Sequence, residues 1–165
     1  MDTPAILVLT TGGTIDKNYF DALSEYQIVD SGIPALLKEA RVALPFRIEE
    51  VCRKDSLELT DADRAEIARR VAEAAETRIV ITHGTDTMTE TAKALAGASG
   101  KTIVLTGALS PARFAETDAG FNLGMAFGAA QVAPPGVYIA MSGQVFDGLR
   151  VRKDRAAGRF VATSD

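Results

Sequence analysis

Ala5-Ile6-Leu7-Val8-Leu9-Thr10-Thr11-Gly12-Gly13-Thr14-Ile15 runs from five consecutive aliphatic residues straight into hydroxyls and glycines. An unbroken apolar run suits a parallel strand covered on both faces, because such a strand has no wet side with which to alternate. The paired glycines permit positive φ and let another backbone approach closely. Ligands of open α/β sheets bind just beyond the carboxyl ends of the strands. Thr10, Thr11 and Thr14 would all stand there, beside N–H groups that no sheet ladder uses. The arrangement suits a nucleophile with an anion-stabilising wall, or a phosphate site. Taken alone it also suits an ordinary strand-to-loop turn.

The rest of the chain repeats this logic. A segment from Phe46 to Cys52 reads as a second strand and leads into Asp55-Ser56-Leu57-Glu58-Leu59-Thr60. The following helix, residues 62–75, has apolar positions at Ile67, Val71 and Ala74-Ala75, and Thr60 with Asp63 supplies a start signal. Arg78-Ile79-Val80-Ile81-Thr82 is a third strand, ending on His83-Gly84-Thr85-Asp86-Thr87-Met88 before a small-residue helix through Leu95. There Asp86 suits an N-cap, and His83 reads as a turn anchor rather than a general base. Lys101–Thr106 and Val137–Met141 are further strands, separated by a helix carrying Leu123, Ala126, Phe127 and Ala130, and another element is expected near Gln144–Gly148. A short helix is expected from Pro34, with Pro45 preventing its extension. Residues 16–26 are polar and aperiodic and read as a surface loop in the position of a lid, with Tyr19 and Tyr26 as its amphipathic groups. Strands alternating with helices predict an α/β fold, a doubly wound, mainly parallel sheet with helices on both faces. Residues 1–165 read as a single domain.

Composition narrows the function. A net charge of −4 over 165 residues gives no electrostatic footprint for nucleic acid, although Arg150, Arg152, Lys153 and Arg155 form a local cluster. In that cluster Lys153 by itself reads as one more solvated charge. Cys52 is the single cysteine and His83 the single histidine. An intrachain disulfide is therefore excluded and the Cys/His content is too poor for a structural zinc site. No metal or cofactor is expected. The N-terminal apolar run is too short to span a bilayer and lacks a cationic flank, so neither a membrane anchor nor a signal peptide is expected, and residence is read as cytoplasmic.

With these residues in place, the chain resembles the bacterial-type L-asparaginase/glutaminase family. The resemblance is carried by Thr11-Gly12-Gly13-Thr14-Ile15 and Thr82-His83-Gly84-Thr85-Asp86-Thr87-Met88. Thr106-Gly107-Ala108-Leu109-Ser110-Pro111, Asp118-Ala119-Gly120-Phe121-Asn122-Leu123 and Phe146-Asp147-Gly148, followed by Val151 and Lys153, add support. It implies Thr11 as the nucleophile, with Thr10 and Thr14 supporting the loop. It further implies a Thr85–Lys153–Asp86 arrangement, Ser56 and Asp86 as substrate-holding groups, and N–H groups near Gly12 and Thr85 as oxyanion donors. Tyr19 is the implied closing tyrosine, with Tyr26 as the alternative. The implied reaction is hydrolysis of asparagine to aspartate and ammonia through a β-acyl-enzyme. The proton is removed through Tyr19, or through Thr85 to a Lys153 made less basic by burial. The resemblance also implies a homodimer or homotetramer, and a second, smaller domain in longer family members for which this chain has no room, either as a short form or as a truncated one.

Three other functions compete. Glutamine or another small amide is the nearest, since a pocket discriminates one methylene only modestly. A catalytically silent amino-acid sensor would keep the scaffold without the reaction. A phosphate or nucleotide binder would use the glycine turn, but neither G-x-x-x-x-G-K-[ST] nor G-x-G-x-x-G is present.

Overall fold

The computed structural model describes residues 4–20 and 25–164. The opening apolar run forms β1 (Ile6–Gly12), which continues through both threonines and is buried along its whole length. In chain order follow β2 (Lys17–Phe20), β3 (Glu25–Ile28), α1 (Ile33–Glu39), β4 (Phe46–Lys54), α2 (Asp61–Glu73), β5 (Arg78–Thr82), α3 (Met88–Ala94), β6 (Thr102–Thr106) and α4 (Ala119–Val132). The chain then passes through β7 (Gly136–Met141), β8 (Gln144–Asp147), β9 (Val151–Asp154) and β10 (Arg159–Ala162).

The central sheet has the order β4-β1-β5-β6-β7-β8. Its first five strands are parallel, and β8 returns antiparallel to β7 along one edge. The continuity of the apolar run in β1 has a direct cause. Leu7 and Leu9 pack with Ile67 and Val71 of α2 and Met88 and Ala92 of α3, whereas Ile6 and Val8 pack with Ile33 and Leu37 of α1 and Leu123 and Phe127 of α4. Helices thus cover both faces, as the strand–helix alternation requires.

Two features depart from the sequence reading. The polar stretch expected as a surface loop contains an antiparallel hairpin, β2 with β3, in which Tyr19 lies directly opposite Tyr26. Residues 21–24, the centre of that expected loop, lie outside the described residues. The paired rings, with centroids 5.1 Å apart, are the kind of cross-strand contact that stabilises a two-stranded ribbon despite polar neighbours. Secondly, β9 and β10 form a separate hairpin in which Phe160 lies opposite Lys153. Phe160 is buried in the same core as Leu7 and Leu9. Residues directly opposite share a face, so the apolar anchor turns Lys153 inward, out of the solvated cluster in which composition alone places it.

The strand order fixes where a site can form. From β1 the chain moves to one side to make β4, then crosses α2 over the sheet to make β5 on the other side. The crevice at such a reversal, beyond the carboxyl ends of β1 and β5, is the topological switch point of an open α/β sheet. Both strands are central and rigid. Ile81→Ala, at a fully buried position of β5, is expected to cost about 2–5 kcal/mol in urea denaturation.

Candidate active site

At the end of β1 the backbone takes positive φ at Gly12 (100°) and Gly13 (82°) before a single turn of 3-10 helix, Thr14–Asp16. Gly13 has no room for a side chain, because a β-carbon there would overlap the backbone of Gly84. Gly84 in turn packs on Ser56, whose Cβ would stand 2.6 Å from a β-carbon at Gly84. Three loops, after β1, β4 and β5, therefore meet here, the first and last backbone to backbone and the second through the Ser56 side chain. Thr14 and Thr85 each directly follow one of these contact points.

The charged centre lies on the β5 side. Lys153 Nζ donates to Thr85 Oγ1 at 2.8 Å and to Asp86 Oδ1 at 2.9 Å. Arg155 Nη2 approaches the same carboxylate oxygen at 3.4 Å from a more exposed position. Beside them Asp55 accepts from Lys17 Nζ at 3.0 Å and from Leu57 N–H. Against the upward push of burial, these hydrogen bonds and the charges of Lys17 and Lys153 hold the Asp55 carboxyl below its ordinary range.

The hydroxyls differ in availability. Thr11 is fully buried, and its Oγ1 donates to the carbonyl of Thr82 at 2.8 Å. Thr14 is partly exposed on the 3-10 turn, and among the described residues its hydroxyl has no hydrogen-bond partner. Gly12 closes β1, and its α-carbon lies against Lys54 of β4. Ser56 is buried, and its Oγ accepts the Thr87 N–H at 3.3 Å. Tyr19 and Tyr26 sit on one face of the β2–β3 hairpin and are substantially exposed, with Tyr26 also 6.0 Å from the ring of Phe114. The structure thus brings together Thr85, Asp86, Lys153 and Ser56, while Thr11 and Thr14 fall on opposite sides of the turn.

Sequence reading passed over the layer beneath. Arg64, Thr87 and Thr91 form a buried hydrogen-bonded group under Ser56. A signal existed, since Arg64 falls three and seven residues before Ile67 and Val71, on the apolar stripe of α2. His83 is fully buried, with Nδ1 2.6 Å from the Gly84 carbonyl and Nε2 2.7 Å from Thr91 Oγ1. Burial pushes its pKa down to about 4, so it is neutral at physiological pH and anchors the turn. Among the described residues no group of His, Cys, Asp or Glu side chains could hold a metal ion.

The His83 environment makes a pH prediction. The unfolded chain takes up this proton near the ordinary value of 6.5 and the folded protein only near 4. Stability is therefore full above pH 6.5 and falls as pH drops toward 4, by up to about 1.4 kcal/mol per pH unit. Urea titrations between pH 7 and pH 5 are expected to show this slope in the wild type and its loss in His83→Asn.

Comparison with known proteins places the chain in a family. The family model for the asparaginase N-terminal region matches residues 5–162. The L-asparaginase of Thermococcus kodakarensis is 34% identical over 163 residues, covering 93% of this chain and 48% of that protein. Its solved structure superposes with a TM-score of 0.81 at 29% identity, over 95% of this chain and 50% of that one. The glutaminase-asparaginase of Pseudomonas fluorescens is 31% identical, covering 90% of this chain and 45% of that protein. A structure described as a probable cytoplasmic L-asparaginase from Campylobacter jejuni gives a TM-score of 0.84 at 28% identity, over 97% of this chain and 54% of that chain. The chain spans about half the length of these relatives, and over that span it belongs to the asparaginase family.

Proposed function

We propose that this chain is a catalytic domain, residues 1–165, that hydrolyses the side-chain amide of asparagine to aspartate and ammonia through a threonine ester. The observation that carries the reading is the bridge from Lys153 Nζ to both Thr85 Oγ1 and Asp86 Oδ1, set at the sheet's switch point beside a partly exposed threonine. The family assignment and the names of the relatives support amide hydrolysis, and one of them is named for glutamine as well. Glutamine is accordingly the second substrate in the proposal.

The nucleophile we assign is Thr14 in place of Thr11. To attack, Thr11 would have to surrender its bond to the Thr82 carbonyl and reach out from a fully buried strand position. Thr14 lies on the partly exposed turn, one residue beyond the Gly13–Gly84 contact. In the proposed sequence its Oγ attacks the amide carbon and the carbonyl oxygen becomes an oxyanion. N–H groups of the glycine turn and of Thr85 are suited to that oxyanion. Collapse breaks the C–N bond, the nitrogen leaves as ammonia after taking up a proton, and water then cleaves the ester to release aspartate.

Lys153 donates to Thr85 Oγ1, which leaves the Thr85 hydroxyl hydrogen free to point toward the reacting atoms. For the attack that direction reverses: Thr85 takes the Thr14 hydroxyl proton while passing its own to an unprotonated Lys153 Nζ, and the same relay then returns a proton to the departing nitrogen, with Tyr19 or Tyr26 covering the site from the hairpin. Asp86 is matched in charge to the substrate's α-ammonium. Ser56 uses a lone pair for Thr87 N–H, and its own hydrogen is the donor proposed for the α-carboxylate. Residence in the cytoplasm and assembly into a homodimer or homotetramer complete the proposal. The first rests on the single cysteine and on the likeness to the Campylobacter jejuni protein.

Ammonia release from L-asparagine and L-glutamine tests the reading. Thr14→Ala is expected to lower kcat by about 10⁴-fold or more, and Lys153→Met by about 10²–10⁴-fold. Thr11→Val should retain activity within about tenfold, the effect of one lost internal hydrogen bond. A dead Thr11→Val beside an active Thr14→Ala would return the nucleophile to Thr11. Wild-type protein that binds the amides, seen as a rise in Tm, but releases no ammonia would be a sensor.

A further inference from the structure

Arg64 is 8% exposed although it belongs to a surface helix, α2. Its Nε donates to Thr91 Oγ1 at 3.1 Å, Nη1 to the Leu59 carbonyl at 3.2 Å and Nη2 to Thr87 Oγ1 at 3.0 Å. Glu90, largely exposed, is 3.3 Å from Nη2. A guanidinium has donors only and keeps its charge in proteins. Each threonine that accepts from it must therefore direct its own hydrogen elsewhere. Thr87 Oγ1 donates to the Ser56 carbonyl at 2.7 Å, and Thr91 Oγ1 meets His83 Nε2 at 2.7 Å. With Nε2 accepting, the imidazole hydrogen lies on Nδ1, which faces the acceptor-only Gly84 carbonyl at 2.6 Å. Both ends of this chain of bonds demand the same direction, and each threonine and imidazole hydrogen in it has an acceptor.

We infer that Arg64 is a positioning residue for the site. One arm, through Thr87, sets the Ser56 turn; the other, through Thr91 and His83, sets the peptide of Gly84 immediately before Thr85. Two loops that contribute to the site from different strands are thereby held to one rigid fork. A lysine has no such fork and cannot reproduce the three directions at once. The kinetic consequence rests on the proposed amidohydrolase reading, whereas the bond directions do not.

The inference separates from a merely structural role by what changes besides melting temperature. In Arg64→Met the KM for asparagine is expected to rise about tenfold while kcat stays within about threefold, because ground-state holding of the α-carboxylate is loosened. The Thr87 amide should lose hydrogen-exchange protection, and the imidazole ¹⁵N resonance of Nε2 should shift, unambiguously assigned because His83 is the sole histidine. Arg64→Lys should recover only part of the KM. A lower melting temperature with unchanged KM, Thr87 protection and Nε2 resonance would overturn the inference. If Arg64→Met does not fold, Thr87→Val cuts one arm alone and must raise KM; unchanged KM in that variant is equally fatal. Should the wild type release no ammonia from either amide, the amidohydrolase reading fails, and the exchange and ¹⁵N readouts in Arg64→Met still decide the role of Arg64.

Discussion

The contact between Gly13 and Gly84 is the constraint on which the site depends. Two strand ends can converge at a switch point only if their backbones pass without side chains between them. A β-carbon at Gly13 would overlap Gly84, and one at Gly84 would run into Ser56. A side chain at either glycine would therefore force the two loops apart. For groups that must act on the same atom, misplacement on the scale of an ångström is already costly. The hydrophobic sheet beneath makes this approach rigid, because β1 and β5 are hydrogen-bonded neighbours from Leu7 and Ile79 to Thr10 and Thr82.

Polar groups collected at such a point need partners, since a buried unpaired donor or acceptor costs about 1–3 kcal/mol. Lys153 meets this with two acceptors, and Asp86 divides its charge between Lys153 and Arg155. Beneath them Arg64 supplies donors to three acceptors, and His83 remains neutral because burial disfavours its charge. Among the described residues, Thr82 Oγ1 is the only buried side-chain polar atom without a partner. It lies on the strand residue whose carbonyl accepts from Thr11.

How much of this was legible in the sequence depended on periodicity. The central strands announced themselves because β-branched and aliphatic runs such as Arg78–Thr82 have no wet face. The element expected near Gln144 is β8, which follows β7 through Ser142-Gly143, where positive φ at both residues makes a two-residue hairpin turn. The β2–β3 hairpin was not legible, because its stability comes from the Tyr19–Tyr26 ring pair rather than from alternation. Thr85, Asp86 and Ser56 were marked as candidates by their positions after strands, and the structure brings them together. Lys153 was legible only through family resemblance, as nothing local shows that Phe160, seven residues later, pulls it inward. The distinction between Thr11 and Thr14 was hidden as well. It turns on where β1 ends, and the strand runs on through Gly12, carrying Thr11 into the sheet and leaving Thr14 on the turn.

That end point also divides the proposed site into a sheet-borne half and a hairpin-borne half. Thr85, Asp86, Ser56 and Lys153 are held by strands, by buried hydrogen bonds, or by a hairpin anchored through Phe160. The β2–β3 hairpin is secured at its base, where the Asp16 carbonyl accepts Val29 N–H and its carboxylate accepts Ser31 Oγ and Gly32 N–H. Burial raises the Asp16 pKa, so these two donors offset part of the cost of keeping a carboxylate there. Farther out, the hairpin is held by exposed aromatic contacts, Tyr19 to Tyr26 and Tyr26 to Phe114, each worth on the order of 1 kcal/mol. Contacts of that size can open and re-form at little cost compared with the interlocked network under Ser56. Under the proposed function, the groups that must hold their geometry stand on the sheet, and those proposed to cover a ligand stand on the ribbon outside it.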